Sequence, residues 1–198
     1  MVFGFSPYGH LGSLVHVEVD IRRGLPGTDI VGLPGHEVRE ARERVRVAIR
    51  NAGFTYPVDR ILISLSPAGV RKCGAGLDLA LALAVLARSG QVHIPSPCVA
   101  CGELRLDGVV IPVRGDVAGA IAAMERGLKS AVVPTESAPR VAATGIGDVF
   151  TLDQLEQLHD GNLVAFRGTT ATPHSLADGS DCQLSFNDIL GQPRIKRA

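Results

Sequence analysis

From Leu77 to Arg88 the chain reads LDLALALAVLAR, and this run limits the possible folds more than any other stretch. Leu77, Leu79, Leu81 and Leu83 alternate as in a strand, but Ala and Leu are strong helix formers and Val85 is the only β-branched residue. Length and composition therefore predict a buried helix. Asp78 falls in its first turn, where a negative charge complements the helix dipole. A helix apolar on every side needs cover on every side, which requires a layered fold. With no Trp and 4% aromatic residues, the core must be built mainly from Val, Leu, Ile and Ala.

The flanking segments supply those layers. GSLVHVEVDIR (12–22) sets Val15, Val17, Val19 and Ile21 against Leu14, His16, Glu18 and Asp20, the period of two of a half-buried strand. Two GLPG turns frame a second strand at TDIV. HEVREARERVRVAIRNAGF places Val38, Ala41, Val45, Ala48, Ile49 and Ala52 at helical spacing, with Gly53 as the stop and Arg39–Glu43 and Glu40–Arg44 able to pair across one turn. RILISLS (60–66) is a third strand. ELRL and VVIPV read as a hairpin turning on Asp107-Gly108. Further on, DVAGAIAAMERG is a helix, SAVVP a strand, TESAPRVAAT a capped helical turn, GDVF a strand and LDQLEQLHDG a last short helix. This alternation predicts an α/β domain over residues 1–160. From 161 to 184 the sequence turns to Gly, Thr, Ser, Asp and Pro without periodicity, the composition of a linker.

At 198 residues the chain suits one well-cored domain and a tail. Twenty Lys and Arg balance twenty Asp and Glu, so any affinity for nucleic acid must come from a local patch. No apolar run is long enough to span a bilayer, and the N-terminus lacks a secretory pattern, so no membrane partner and a cytoplasmic location are expected. Four cysteines are too few for a disulfide framework. Cys98 and Cys101 have the spacing of half a zinc site, but no second pair lies near them, and the sequence after them reads as strand and turn. They read as ordinary cysteines entering a strand.

The loop PAGVRKCGAG, between the third strand and the buried helix, has the layout of a loop that presents a reactive group. It is not a Walker loop, because Lys72 precedes the glycines and no hydroxyl follows. GAG without a third glycine and a downstream acid is a weak dinucleotide signal. No hydroxyl side chain occurs between Ser66 and Ser89. Cys73 is the one substitute nucleophile, with Lys72 beside it and no histidine close in sequence.

The strand, the K-x-G-x-x loop, the apolar helix and GELRLDGVVIPVRG resemble the proteolytic domain of Lon. In that family a serine in the loop attacks the peptide and a lysine after the hairpin is its base. Here the matching positions are Gly76 and Val117, and the first later lysine, Lys129, is too far along the chain to replace Val117. GLPGHEVREARERVRVAIRNAGFTYP, RILISLSPAGVRKCGAGLDLALALAVLARSGQ and GELRLDGVVIPVRG together resemble, more closely, the N-terminal domain of the ComM/YifB family of magnesium-chelatase-related AAA+ proteins. LSFNDILGQPRIKRA (184–198) is similar to the stretch where that family's ATPase domain begins.

The resemblance implies a Lon-protease-like, ribosomal-protein-like α/β fold with a mixed sheet packed with helices. It implies that the chain is the front part of a longer protein, with residues 185–198 starting an AAA+ domain. The parent is expected to use ATP and magnesium in a homo-oligomeric ring, a hexamer, and to act on DNA as a helicase or branch-migration motor in natural transformation. The chain itself is expected to hold no cofactor, no metal and no catalytic residue, and to aid assembly with its own ATPase region and ring neighbours or to contact DNA. The candidate contacts are Arg39, Arg42, Arg46, Arg71 and Lys72. The rival readings are a peptidase using Cys73 and an adaptor or chaperone module of a chelatase-type ATPase.

Overall fold

The alternation of residues 12–22 does form a strand, and the sheet grows from it in both directions. The computed structural model describes residues 1–8, 11–161 and 163–168. In chain order, β1 (Val2–Tyr8), β2 (Leu11–Arg22) and β3 (Gly27–Val31) precede helix α1 (His36–Asn51) and β4 (Arg60–Ser66). A 3₁₀ turn at Ala75–Leu77 leads into α2 (Asp78–Arg88), followed by β5 (Cys98–Ala100), β6 (Glu103–Leu104) and β7 (Val110–Ile111). Then come α3 (Asp116–Glu125), β8 (Ser130–Val133), α4 (Ala138–Ala142), β9 (Asp148–Thr151) and β10 (Val164–Ala165). Eight strands form one mixed sheet in the order β10-β9-β8-β5-β1-β2-β4-β3, and β6-β7 is a separate hairpin.

Side-chain alternation divides the core in two. Val15, Val17, Ile61, Ile63 and Leu65 face α1 and α2, whereas Phe5, Leu14, Val99, Ala131 and Val133 face α3 and α4. Every residue of α2 from Asp78 to Leu86 is buried, as the composition of the run demands. Burying each of its leucines contributes about 1.5–3 kcal/mol relative to exposure.

Several expectations are corrected. β1 has no strand signature in the sequence, because Gly4 and Pro7 make VFGFSPY a poor strand by propensity. It is central nonetheless, antiparallel to β2 and parallel to β5. Gly4 is required by packing: a Cβ there would overlap the Leu77 side chain and press to 3.1 Å on Ala80 Cβ, so its absence lets α2 lie close on the sheet. The hairpin pairs only two residues on each side, and its loop is Leu106–Gly108. The Gly108 amide donates to the Arg105 carbonyl at 3.0 Å and Gly108 takes φ 87°, the three-residue turn with a left-handed glycine. Residues 155–160 form a 3₁₀ segment capped reciprocally by Gln154 and Gln157. β10 pairs with β9, so the sheet runs to Ala165, beyond the expected linker boundary at 160. The expected start of an ATPase domain at 185–198 lies outside the described residues.

Candidate functional site

The loop after β4 is held by a lysine that turns inward. Lys72 is fully buried, and its ammonium donates to the Gly32 carbonyl at 2.6 Å and to the Pro67 carbonyl. Its backbone carbonyl accepts from the Gly35 amide at 2.8 Å and its amide donates to the Leu33 carbonyl at 3.1 Å. One residue thus fastens the second GLPG turn to this loop. Burial pulls the ammonium below the usual lysine range. The expectation that Lys72 reaches a partner is therefore corrected, since its charge is enclosed and already bonded.

Beyond Lys72 the loop is pinned to β1. The Cys73 amide donates to the Ser6 hydroxyl at 2.8 Å, and the same hydroxyl lies 3.2 Å from the Cys73 carbonyl. Gly76 follows, at the position that matches a Lon serine. A Cβ there would meet Val113 Cγ2 at 3.4 Å and nothing closer, so packing does not impose the glycine. Val117, at the matching lysine position, is half-buried in the first turn of α3.

The polar groups near that turn are engaged with one another. Asp116 accepts from Arg140 Nε at 2.9 Å, and Arg140 Nη2 also donates to the Ser137 hydroxyl at 2.9 Å. This is the one buried hydroxyl hydrogen-bonded to a basic side chain among the described residues. A guanidinium does not give up its proton in a protein and has no acceptor, so Ser137 has no base in it. Cys73 makes no side-chain hydrogen bond to a histidine among the described residues. Among the described residues, then, neither Ser137 nor Cys73 is hydrogen-bonded to a side chain that could act as its base.

Cys98 and Cys101 point into different cores, Cys98 with the α1–α2 cluster and Cys101 with the α3–α4 cluster. Two thiols on opposite sides of a sheet cannot share a metal ion. Burial pushes the Cys98 thiol up to about 11; burial, with Asp116 near it, pushes Cys101 to about 12. Both remain protonated packing groups.

Helix α1 carries Arg39, Arg42, Arg44, Arg46 and Arg50, divided between two faces. Arg44 turns toward α2 and holds the fully buried Asp78 with two bonds, Nε to Oδ2 at 2.9 Å and Nη2 to Oδ1 at 3.1 Å. The Leu104 amide donates to Asp78 Oδ2 at 3.3 Å. Asp78 thus joins α1, α2 and the hairpin, well beyond the dipole role its position suggested. Of the two expected pairs across a turn, Glu40–Arg44 forms at 4.0 Å; Glu43 instead pairs with Arg42 at 3.3 Å and Arg46 at 3.7 Å.

Arg39, Arg42, Arg46 and Arg50 are exposed. Arg42, Arg46 and Arg50 border a groove of about 650 Å3 whose lining includes Thr28, Tyr56 and Pro57. Thr28 and Tyr56 share a hydrogen bond of 2.9 Å. Arg39 and Arg42 border a second groove beside β3. The structure thus groups three of the candidate contacts, adds Arg50 and leaves Arg71 exposed on a separate loop. Arg50 is not among the expected contacts, although it follows Arg42 and Arg46 at four-residue spacing, the signal that points to it.

Residues 17–137 match the family described as subunit ChlI of Mg-chelatase. The chain is 41% identical, over 99% of its length, to an uncharacterized protein of Mycobacterium tuberculosis, covering 39% of that protein. It is 35% identical over 92% of its length to YifB of Salmonella typhimurium and 32% identical over its whole length to competence protein ComM of Haemophilus influenzae, covering 36% and 40% of them. Lon protease of Trichlorobacter lovleyi is 23% identical over 64% of the chain and 16% of that protein. The chain therefore spans about two-fifths of the relatives that it matches along its length. No described helix is long and apolar enough to cross a membrane.

Proposed function

Since the chain belongs to the magnesium-chelatase-related family that includes YifB and ComM, with a Lon-like fold, we propose that it is the non-proteolytic N-terminal module of an AAA+ ATPase of that kind. The parent, on this reading, is a cytoplasmic ring that hydrolyses ATP with magnesium and moves on DNA as a helicase or branch-migration motor. The module aids assembly of that ring and contacts DNA through α1. The observation that carries the reading is the pairing of a well-fastened hydrolase loop with Gly76 and Val117 where the reactive side chains would stand.

Such a module has a structural part to play. Lys72 fixes the loop from within, and the Arg44–Asp78 pair fixes α1 against α2, so the outward arginines of α1 are presented on a rigid support. The test is binding and cleavage measured on the same preparation of residues 1–198. Binding of labelled DNA that weakens with salt, without casein cleavage, is the expected result. Casein cleavage would overturn the reading, and absence of DNA binding at low salt would remove its DNA-contact part.

A further inference from the structure

We infer that the groove along α1 is a track for one strand of nucleic acid, with Arg42, Arg46 and Arg50 as its phosphate contacts and Glu43 as the anion that the strand displaces; this rests on the DNA-contacting reading above. The three arginines recur every fourth residue, which sets them roughly 6 Å apart along the helix axis. A row of that length suits successive phosphodiesters better than one phosphate group. Arg42 also borders the neighbouring groove beside β3, which Arg39 lines as well. A chain can pass along such a surface, whereas a small ligand is better held in an enclosed pocket.

Two further observations fix the ligand's chemistry. The rest of the lining includes Tyr56, whose half-buried aromatic ring borders the groove beside the cations, and an aromatic ring is where an unpaired base stacks; Asp59 lies in the same lining. A duplex keeps its bases stacked inside, out of reach of that ring. Glu43 meanwhile lies between Arg42 and Arg46, 3.3 and 3.7 Å from their Nε atoms. Its carboxylate occupies the place an incoming phosphate would take, so binding exchanges one anion for another.

The test is fluorescence anisotropy of residues 1–198 with a labelled oligothymidylate and with a duplex of the same length, across a salt series. The expected result is tighter binding of the single strand, with the slope of log K against log salt reduced in magnitude by about 2 in R42A/R46A/R50A, three phosphates at about 0.7 each. Arg71→Ala should leave that slope unchanged. Glu43→Gln should tighten binding about two- to fivefold, the worth of an exposed ion pair. Circular dichroism of each variant separates lost binding from lost fold. If the wild type binds neither probe at low salt, the DNA-contacting reading itself fails. If it binds and the triple variant binds equally well, only the groove assignment fails. Equal affinity for duplex, or equal competition by polyglutamate or free thymidine monophosphate, would also overturn the single-strand track.

Discussion

Lys72 and Arg46 carry the same charge in opposite surroundings. Lys72 is enclosed, with its ammonium on the carbonyls of Gly32 and Pro67. Arg46 borders an open groove with Arg42 and Arg50, and its ion pair with Glu43 is a surface pair at 3.7 Å. Arg44 repeats the contrast within a single helix, since it lies between Arg42 and Arg46 in sequence yet turns to the buried Asp78. Cations that are enclosed by their own fold act as fasteners, and those left at the surface are available to a ligand.

The sharpest way to break this comparison is to remove a fastener. Arg44→Met leaves the buried Asp78 carboxylate with only the Leu104 amide and should cost about 2–3 kcal/mol in urea denaturation, below the 3–5 kcal/mol of a fully buried pair because Arg44 is partly exposed. A loss under about 0.5 kcal/mol, the range of ordinary surface substitutions, would place Arg44 with the groove arginines. Lys72→Met should cost about 1–3 kcal/mol by leaving the Gly32 and Pro67 carbonyls without their donor. It should leave oligonucleotide binding unchanged, and weakened binding by a well-folded variant would return Lys72 to the contact surface.

The same lysine has a pH signature. Burial lowers its pKa in the folded state, so between that value and the usual lysine value the unfolded chain binds more protons. Its contribution to stability therefore increases as pH rises through that window. Comparing the slope of stability against pH for wild type and Lys72→Met on the alkaline side should show a more positive slope in the wild type, and identical slopes would contradict the lowered pKa. The smallest effect is expected for Arg46→Ala, within about 0.5 kcal/mol of the wild type by thermal or urea unfolding. A larger loss would mean that the groove arginines are structural as well.

Much of this architecture is legible in local pattern. The apolar run at Leu77–Arg88, the alternation in β2 and the helical spacing in α1 each leave one dominant solution, and the structure adopts it. β1 is illegible because its placement comes from the tertiary fold: Gly4 is a poor strand former locally and becomes necessary only once α2 lies over it. That Gly76 has no hydroxyl and Val117 no amine is readable residue by residue, because side-chain identity needs no geometry. Which cations face out is not. Lys72 lies in a polar, glycine-bearing loop that reads as exposed, and only the approach of the Gly32–Gly35 turn encloses it. Arg44 differs from Arg42 and Arg46 by helical phase and by the presence of Asp78 on a neighbouring helix, a partner 34 residues away that spacing within α1 cannot reveal.

The central proposal is that the Lon-like scaffold here holds no competent nucleophile. Its most direct test is treatment of native residues 1–198 with a fluorophosphonate probe and a thiol-reactive peptide substrate, with intact mass and site mapping as the readout. The account predicts no adduct above a denatured control at Ser6, Cys73 or Ser137. Stoichiometric labelling of any of these in the folded protein, lost on substitution by alanine, would contradict it.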